Sequence, residues 1–130
     1  MLEINNNKYN VLSSKVRFVD AKENKQIGYS ILVTINIELN RVKGYINFYV
    51  DFFNNNDFKN IENKEYNELP TALDSKITPI EIFDTKNFIS FIDSYVVVKF
   101  GNILDNQIQM ELKIDDELIK LDYQWVLDIN

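Results

Sequence analysis

At 130 residues and 45% hydrophobic, the chain has the size and apolar content of one domain spanning residues 1–130. Its 20 acidic and 14 basic residues give a net charge of −6, which disfavours nucleic acid and anionic membranes and favours a basic partner. It contains no histidine and no cysteine, which excludes Ser-His-Asp and Cys-His catalysis, disulfides and the usual zinc sites.

Three glycines cannot compose a phosphate loop or a dinucleotide fingerprint. No cofactor is expected. The N-terminus lacks an apolar signal-peptide core, and no apolar run approaches the ~18 residues of a membrane helix. The cysteine-free composition suits a reducing compartment, so a cytoplasmic protein is expected. Abundant Asn, Ile and Lys read as the codon bias of an AT-rich genome, as in many bacteria.

In chain order, residues 11–19 read as a strand with Leu12, Val16 and Phe18 on one side and Lys15 and Arg17 on the other. The polar stretch 20–26 is a turn. Residues 27–39 alternate most clearly. Ile27, Tyr29, Ile31, Val33, Ile35, Ile37 and Leu39 share one parity, the pattern of a strand with one buried face. Asn40 and Arg41 break it. The next run places Val42, Ile46, Phe48, Val50 and Phe52 on one face and Lys43, Tyr45, Asn47, Tyr49 and Asp51 on the other, completing a hairpin.

Residues 54–57 are turn formers. In 58–69, Phe58, Ile61, Tyr66 and Leu69 can anchor a short helix or an irregular crossover. Pro79 sets Ile80-Glu81-Ile82-Phe83 at a strand start or an edge. Phe88, Ile89, Phe91 and Ile92 fall at helical offsets, so one short helix is predicted around residues 85–93, capped by Asp84 or Thr85. Residues 94–100 are apolar on both parities and read as a strand buried on two sides, with Gly101-Asn102 opening a loop. Ile108, Met110, Leu112 and Ile114, then Ile119, Leu121, Tyr123, Trp125 and Leu127, alternate on either side of a turn at 115–116, the second-clearest hairpin. The expected fold is mostly β: a curved antiparallel sheet, a meander of sandwich-like or half-barrel form, with that one helix against it.

No catalytic or metal-binding residue is assigned. Glu111 and Asp122 lie on polar parities of neighbouring strands, and Asp115-Asp116-Glu117 is acidic enough for a hard cation. Solvated strand and turn residues flanked by Lys113 and Lys120 are the expected reading of both groups. Tyr45, Asn47, Tyr49 and Asp51 form the candidate binding set. Tyrosine gives large contact area at low side-chain entropy cost, so two of them on a nominally wet face suit a protein contact unless a second layer covers them as core.

The leading expectation is a non-catalytic protein-binding module, in concrete form an immunity- or inhibitor-type protein that neutralises a basic partner. The alternatives are a carrier of small apolar ligands on a barrel-like fold and a carboxylate-dependent enzyme.

Overall fold

A computed structural model describes residues 2–4, 7–19, 28–68, 80–84, 88–92, 95–115 and 120–129. Ten strands run through them: β1 (Leu2–Ile4), β2 (Asn7–Val19), β3 (Tyr29–Leu39), β4 (Val42–Phe53), β5 (Glu65–Glu68), β6 (Ile80–Asp84), β7 (Phe88–Ile92), β8 (Tyr95–Leu104), β9 (Gln107–Asp115) and β10 (Lys120–Ile129). A single 3-10 turn, Phe58–Asn60, is the one helical element among the described residues.

The strands form one curled half-barrel sheet in the order β5-β8-β9-β10-β2-β3-β4-β6-β7, with β1 paired to β2. Every pairing is antiparallel except β10 with β2, which is parallel and joins the sheet through Asp128↔Lys15 and Ile129↔Val16. The sheet is therefore mixed rather than purely antiparallel.

Alternation in the sequence becomes a buried inner face. Ile31, Val33, Ile35 and Ile37 of β3 meet Ile46, Phe48 and Val50 of β4, and all are at most 1% exposed. From the other half come Val96, Val98 and Phe100 of β8 and Ile108, Met110, Leu112 and Ile114 of β9. Trp125 and Leu127 of β10 join them, so both halves fill one continuous core. Burying each such side chain contributes about 1.5–3 kcal/mol.

Two hairpins close by the same device. Asn40 and Arg41 between β3 and β4 have φ of 51° and 67°, and Asp105 and Asn106 between β8 and β9 have 52° and 60°. Paired left-handed residues match the right-handed twist of the flanking strands.

The chain between β4 and β5 packs against the core. Asp57 accepts a hydrogen bond from the Lys59 N–H (2.9 Å) and starts the 3-10 turn. The turn delivers Phe58 onto Phe18 (ring centroids 4.6 Å apart) and leads into Ile61, which is fully buried. Tyr66 then meets Phe100 edge-on (6.1 Å). Of the four expected anchors, Phe58, Ile61 and Tyr66 pack inward; Leu69 lies outside the described residues.

Several expectations need correction. The helix predicted around 85–93 is not formed: Phe88–Ile92 is β7, which pairs with β6, while residues 85–87 and 93 lie outside the described residues. Four apolar residues in a run of five are too few for period to separate helix from strand, and Ile and Phe favour the strand once a neighbour offers its edge. Of the segment 94–100, residues 95–100 are buried on one side, not two, because Tyr95 and Lys99 are exposed; residue 94 lies outside the described residues. Gly101-Asn102 opens no loop; it is a bulge within β8, between the register pairs Phe100↔Met110 and Ile103↔Ile108.

Leu12 does not point inward with Val16. A bulge between Val11 and Ser13 resets the parity, leaving Leu12 49% exposed and seating Ser14 in the core row. A further shift at Asp51, whose φ is 42°, brings Phe53 against the core. The side chain of Phe52 and the residues 20–27, 69–79 and 116–119 lie outside what is described. No helix among the described residues is long and apolar enough to cross a membrane.

Candidate protein-contact face

The candidate residues sit on the outer face of β4, opposite the core. Register organises this face into cross-strand rows over β2, β3 and β4. Ser13, Asn36 and Tyr45 make one row; Lys15, Thr34 and Asn47 the next; Arg17, Leu32 and Tyr49 the third. Neighbours within a row are ~4.8 Å apart, and successive rows are ~7 Å apart. Tyr45 and Tyr49 therefore stand ~14 Å apart along one strand with Asn47 between them.

Both tyrosines are half-buried, as is Asn47. They belong neither to the core nor to a fully solvated surface. Two cross-strand hydrogen bonds order the polar groups around them. Thr34 Oγ1 donates to Asn47 Oδ1 at 2.9 Å, and Asn36 Nδ2 donates to Ser13 Oγ at 2.8 Å. The bond from Thr34 orients the Asn47 amide. Beyond β4, β6 brings Glu81 into register with Asn47.

Asp51 departs from this set. It lies at the β4 bulge with left-handed backbone, outside the regular rows, and its charge reaches Tyr66 on the inner side. Burial first, and the Asp51 carboxylate second, push the Tyr66 phenol up to about 12 from its ordinary 10.0. The folded chain thus holds this proton more tightly than the unfolded chain does. Stability from Tyr66 is whole below pH 10 and is lost as the pH rises towards 12. Tyr66→Phe is expected to remove roughly 2 kcal/mol of the pH-dependent loss across that window, read by urea unfolding. An unchanged pH slope would assign the loss to other tyrosines and lysines.

The structure adds a feature that sequence reading missed. A groove of about 450 Å³ opens on the outer side of β8, β9 and β10, lined by Asn63, Lys99, Gly101, Gln109, Glu111 and Val126 among others. It forms where the β8 bulge lifts the strand. Ile103 N–H, displaced from the ladder, donates to Glu62 Oε2 at 2.9 Å, and Asn63 N–H donates to the Gly101 carbonyl at 3.1 Å. A Cβ at Gly101 would lie 3.0 Å from Gln109 Oε1, so the missing side chain keeps that wall clear. Glycine inside an apolar strand pattern was the available signal. The groove is open and lined by polar and apolar groups in similar measure, unlike the enclosed chamber of a lipophilic carrier.

The acidic pair considered for catalysis is not face to face. Glu111 is in register with Gln124, which donates to it at 3.4 Å, and Asp122 is in register with Lys113. Asp115 is exposed, Asp116 and Glu117 lie outside the described residues, and no cluster of potential metal ligands occurs among those described. Compared with protein-family models, curated proteins and solved structures, the chain matches none.

Proposed function

We propose that the chain is a non-catalytic protein-binding module, of the immunity or inhibitor type, that works in the cytoplasm and engages its partner through the outer face of β4. The observation that carries this reading is the ordered row structure around Tyr45, Asn47 and Tyr49. Two aromatic rings of low side-chain entropy flank an amide already oriented by Thr34. A partner docking there would meet groups that need little further ordering, which lowers the cost of binding. Missing histidine and cysteine fit a role that is occlusion rather than chemistry.

The three rows on three strands span roughly 10 by 14 Å between backbone positions. That is less than the ~800 Å² per partner of a stable interface, so the contact extends onto neighbouring strands or is transient. The test starts from a partner captured from the native cell with the full chain and then purified. Tyr45→Ala with Tyr49→Ala is expected to weaken that complex by about 2 kcal/mol or more, roughly thirtyfold in Kd, with the unfolding midpoint nearly unchanged. Unchanged affinity, measured calorimetrically, removes this face as the contact.

A further inference from the structure

The path of the sheet ends in two strands, β5 on one side and β7 on the other. β5 pairs with β8 along one edge and β7 with β6 along one edge. Among the described residues, no strand pairs with the other edge of either. Such an edge presents a row of N–H and C=O groups to any extended chain, so proteins protect it with charge, proline or a bulge. β5 follows this rule: Glu65-Tyr66-Asn67-Glu68 is short and carries two carboxylates. β7 does not. Phe88-Ile89-Ser90-Phe91-Ile92 has no charge, proline or glycine, and its Phe and Ile residues favour strands.

The order of those residues selects the occupant. When β7 of one copy lies antiparallel to β7 of another about a two-fold axis at Ser90, Phe88 stands opposite Ile92 and Ile89 opposite Phe91. Every position outside Ser90 then pairs Phe with Ile, an aromatic and β-branched combination that stabilises neighbouring strands. The same arrangement of β5 sets Glu65 opposite Glu68, and like charges directly opposite are destabilising. One end of the sheet is thus complementary to itself and the other repels itself. We propose that β7 is a dimerisation edge: a second copy of this chain adds its own β7 in the register centred on Ser90, and the two sheets continue across the axis. The proposal does not rest on the β4 face, from which β6 separates this edge. Five residues per copy give about four to six backbone hydrogen bonds and a contact below the ~1,200 Å² of stable interfaces. The dimer is therefore weak, with a Kd on the order of 100 μM.

Analytical ultracentrifugation of the full chain from ~10 μM to ~1 mM is expected to show a monomer–dimer equilibrium that stops at the dimer. Ser90→Lys and Ser90→Glu each set like charges opposite one another at the axis and should weaken the dimer about fivefold. An equimolar mixture of the two variants should associate to within about twofold of the native chain, because lysine then faces glutamate. Asn67→Lys, the same added charge on β5, should change the Kd less than about twofold. Circular dichroism checks that each variant folds. Should the Ser90 variants unfold, hydrogen exchange of the native chain decides, with protection of the 88–92 amides expected to rise with concentration. A native chain still monomeric at ~1 mM overturns the proposal. So does a dimer indifferent to both Ser90 charges, a mixture that regains nothing, or protection at 88–92 that ignores concentration. Growth beyond the dimer overturns it in favour of head-to-tail pairing of β7 with β5.

Discussion

Replacing Phe48 with alanine is expected to destabilise the fold by about 3–5 kcal/mol, a large part of the 5–15 kcal/mol typical of a whole domain. Phe48 is 1% exposed, sits in the middle of β4 opposite Val33, and is among the largest fully buried side chains. Its neighbours Ile46 and Val50 belong to the same ladder and cannot move in to fill the space without breaking register. The cost therefore includes the cavity as well as the lost transfer free energy. Urea unfolding followed by circular dichroism reads it. Ile35→Val, in the same core, removes one methylene and should cost only about 0.5–1.5 kcal/mol. A Phe48→Ala loss as small as that of Ile35→Val would mean that the two sheet halves do not share one core.

Gly28→Ala is expected to cost about 2–4 kcal/mol although it deletes nothing. Gly28 has φ +98°, a conformation that L residues rarely adopt, and an added Cβ would lie 2.7 Å from the Phe53 carbonyl oxygen. That oxygen is backbone, on the strand whose Phe53 pairs with Tyr29, so it cannot yield as a flexible side chain would. The substitution thus strains the start of β3 and the end of β4 together. Gly101→Ala is the contrasting control: there the tight contact is with the Gln109 side chain, and its loss should be smaller. Comparable midpoints for both variants and the native chain would show that the β3 entry relaxes without cost.

The parts of this fold legible in the sequence were those where one face meets the core over many residues. Ile31, Val33, Ile35 and Ile37, and Ile108, Met110, Leu112 and Ile114, keep strict alternation and are buried as read. What stayed hidden has one physical origin, since bulges and non-local pairing leave little trace in local pattern. Leu12 shares the parity of Val16 in the sequence, and the bulge that turns it outward is invisible in residue type. The helical offsets around residues 85–93 mislead because the pairing partner of Phe88–Ile92 lies in a separate run, β6. The parallel junction of β10 with β2 joins segments that no neighbouring residues announce. At the candidate face, the tyrosines and Asn47 fell together as the period-two pattern requires. Asp51 left the series at a left-handed residue.

The parallel register of Asp128 and Ile129 with Lys15 and Val16 also fixes an order of events during synthesis. The β2-β3-β4 meander can zip up from local turns as soon as it leaves the ribosome. Its inner face must then wait, greasy and uncovered, until β10 emerges and joins the two halves of the sheet. Closing the long loop between Val16 and Ile129 makes that step slow. In the interval the nascent protein is at its most vulnerable to aggregation, and that is where a holding chaperone would matter most.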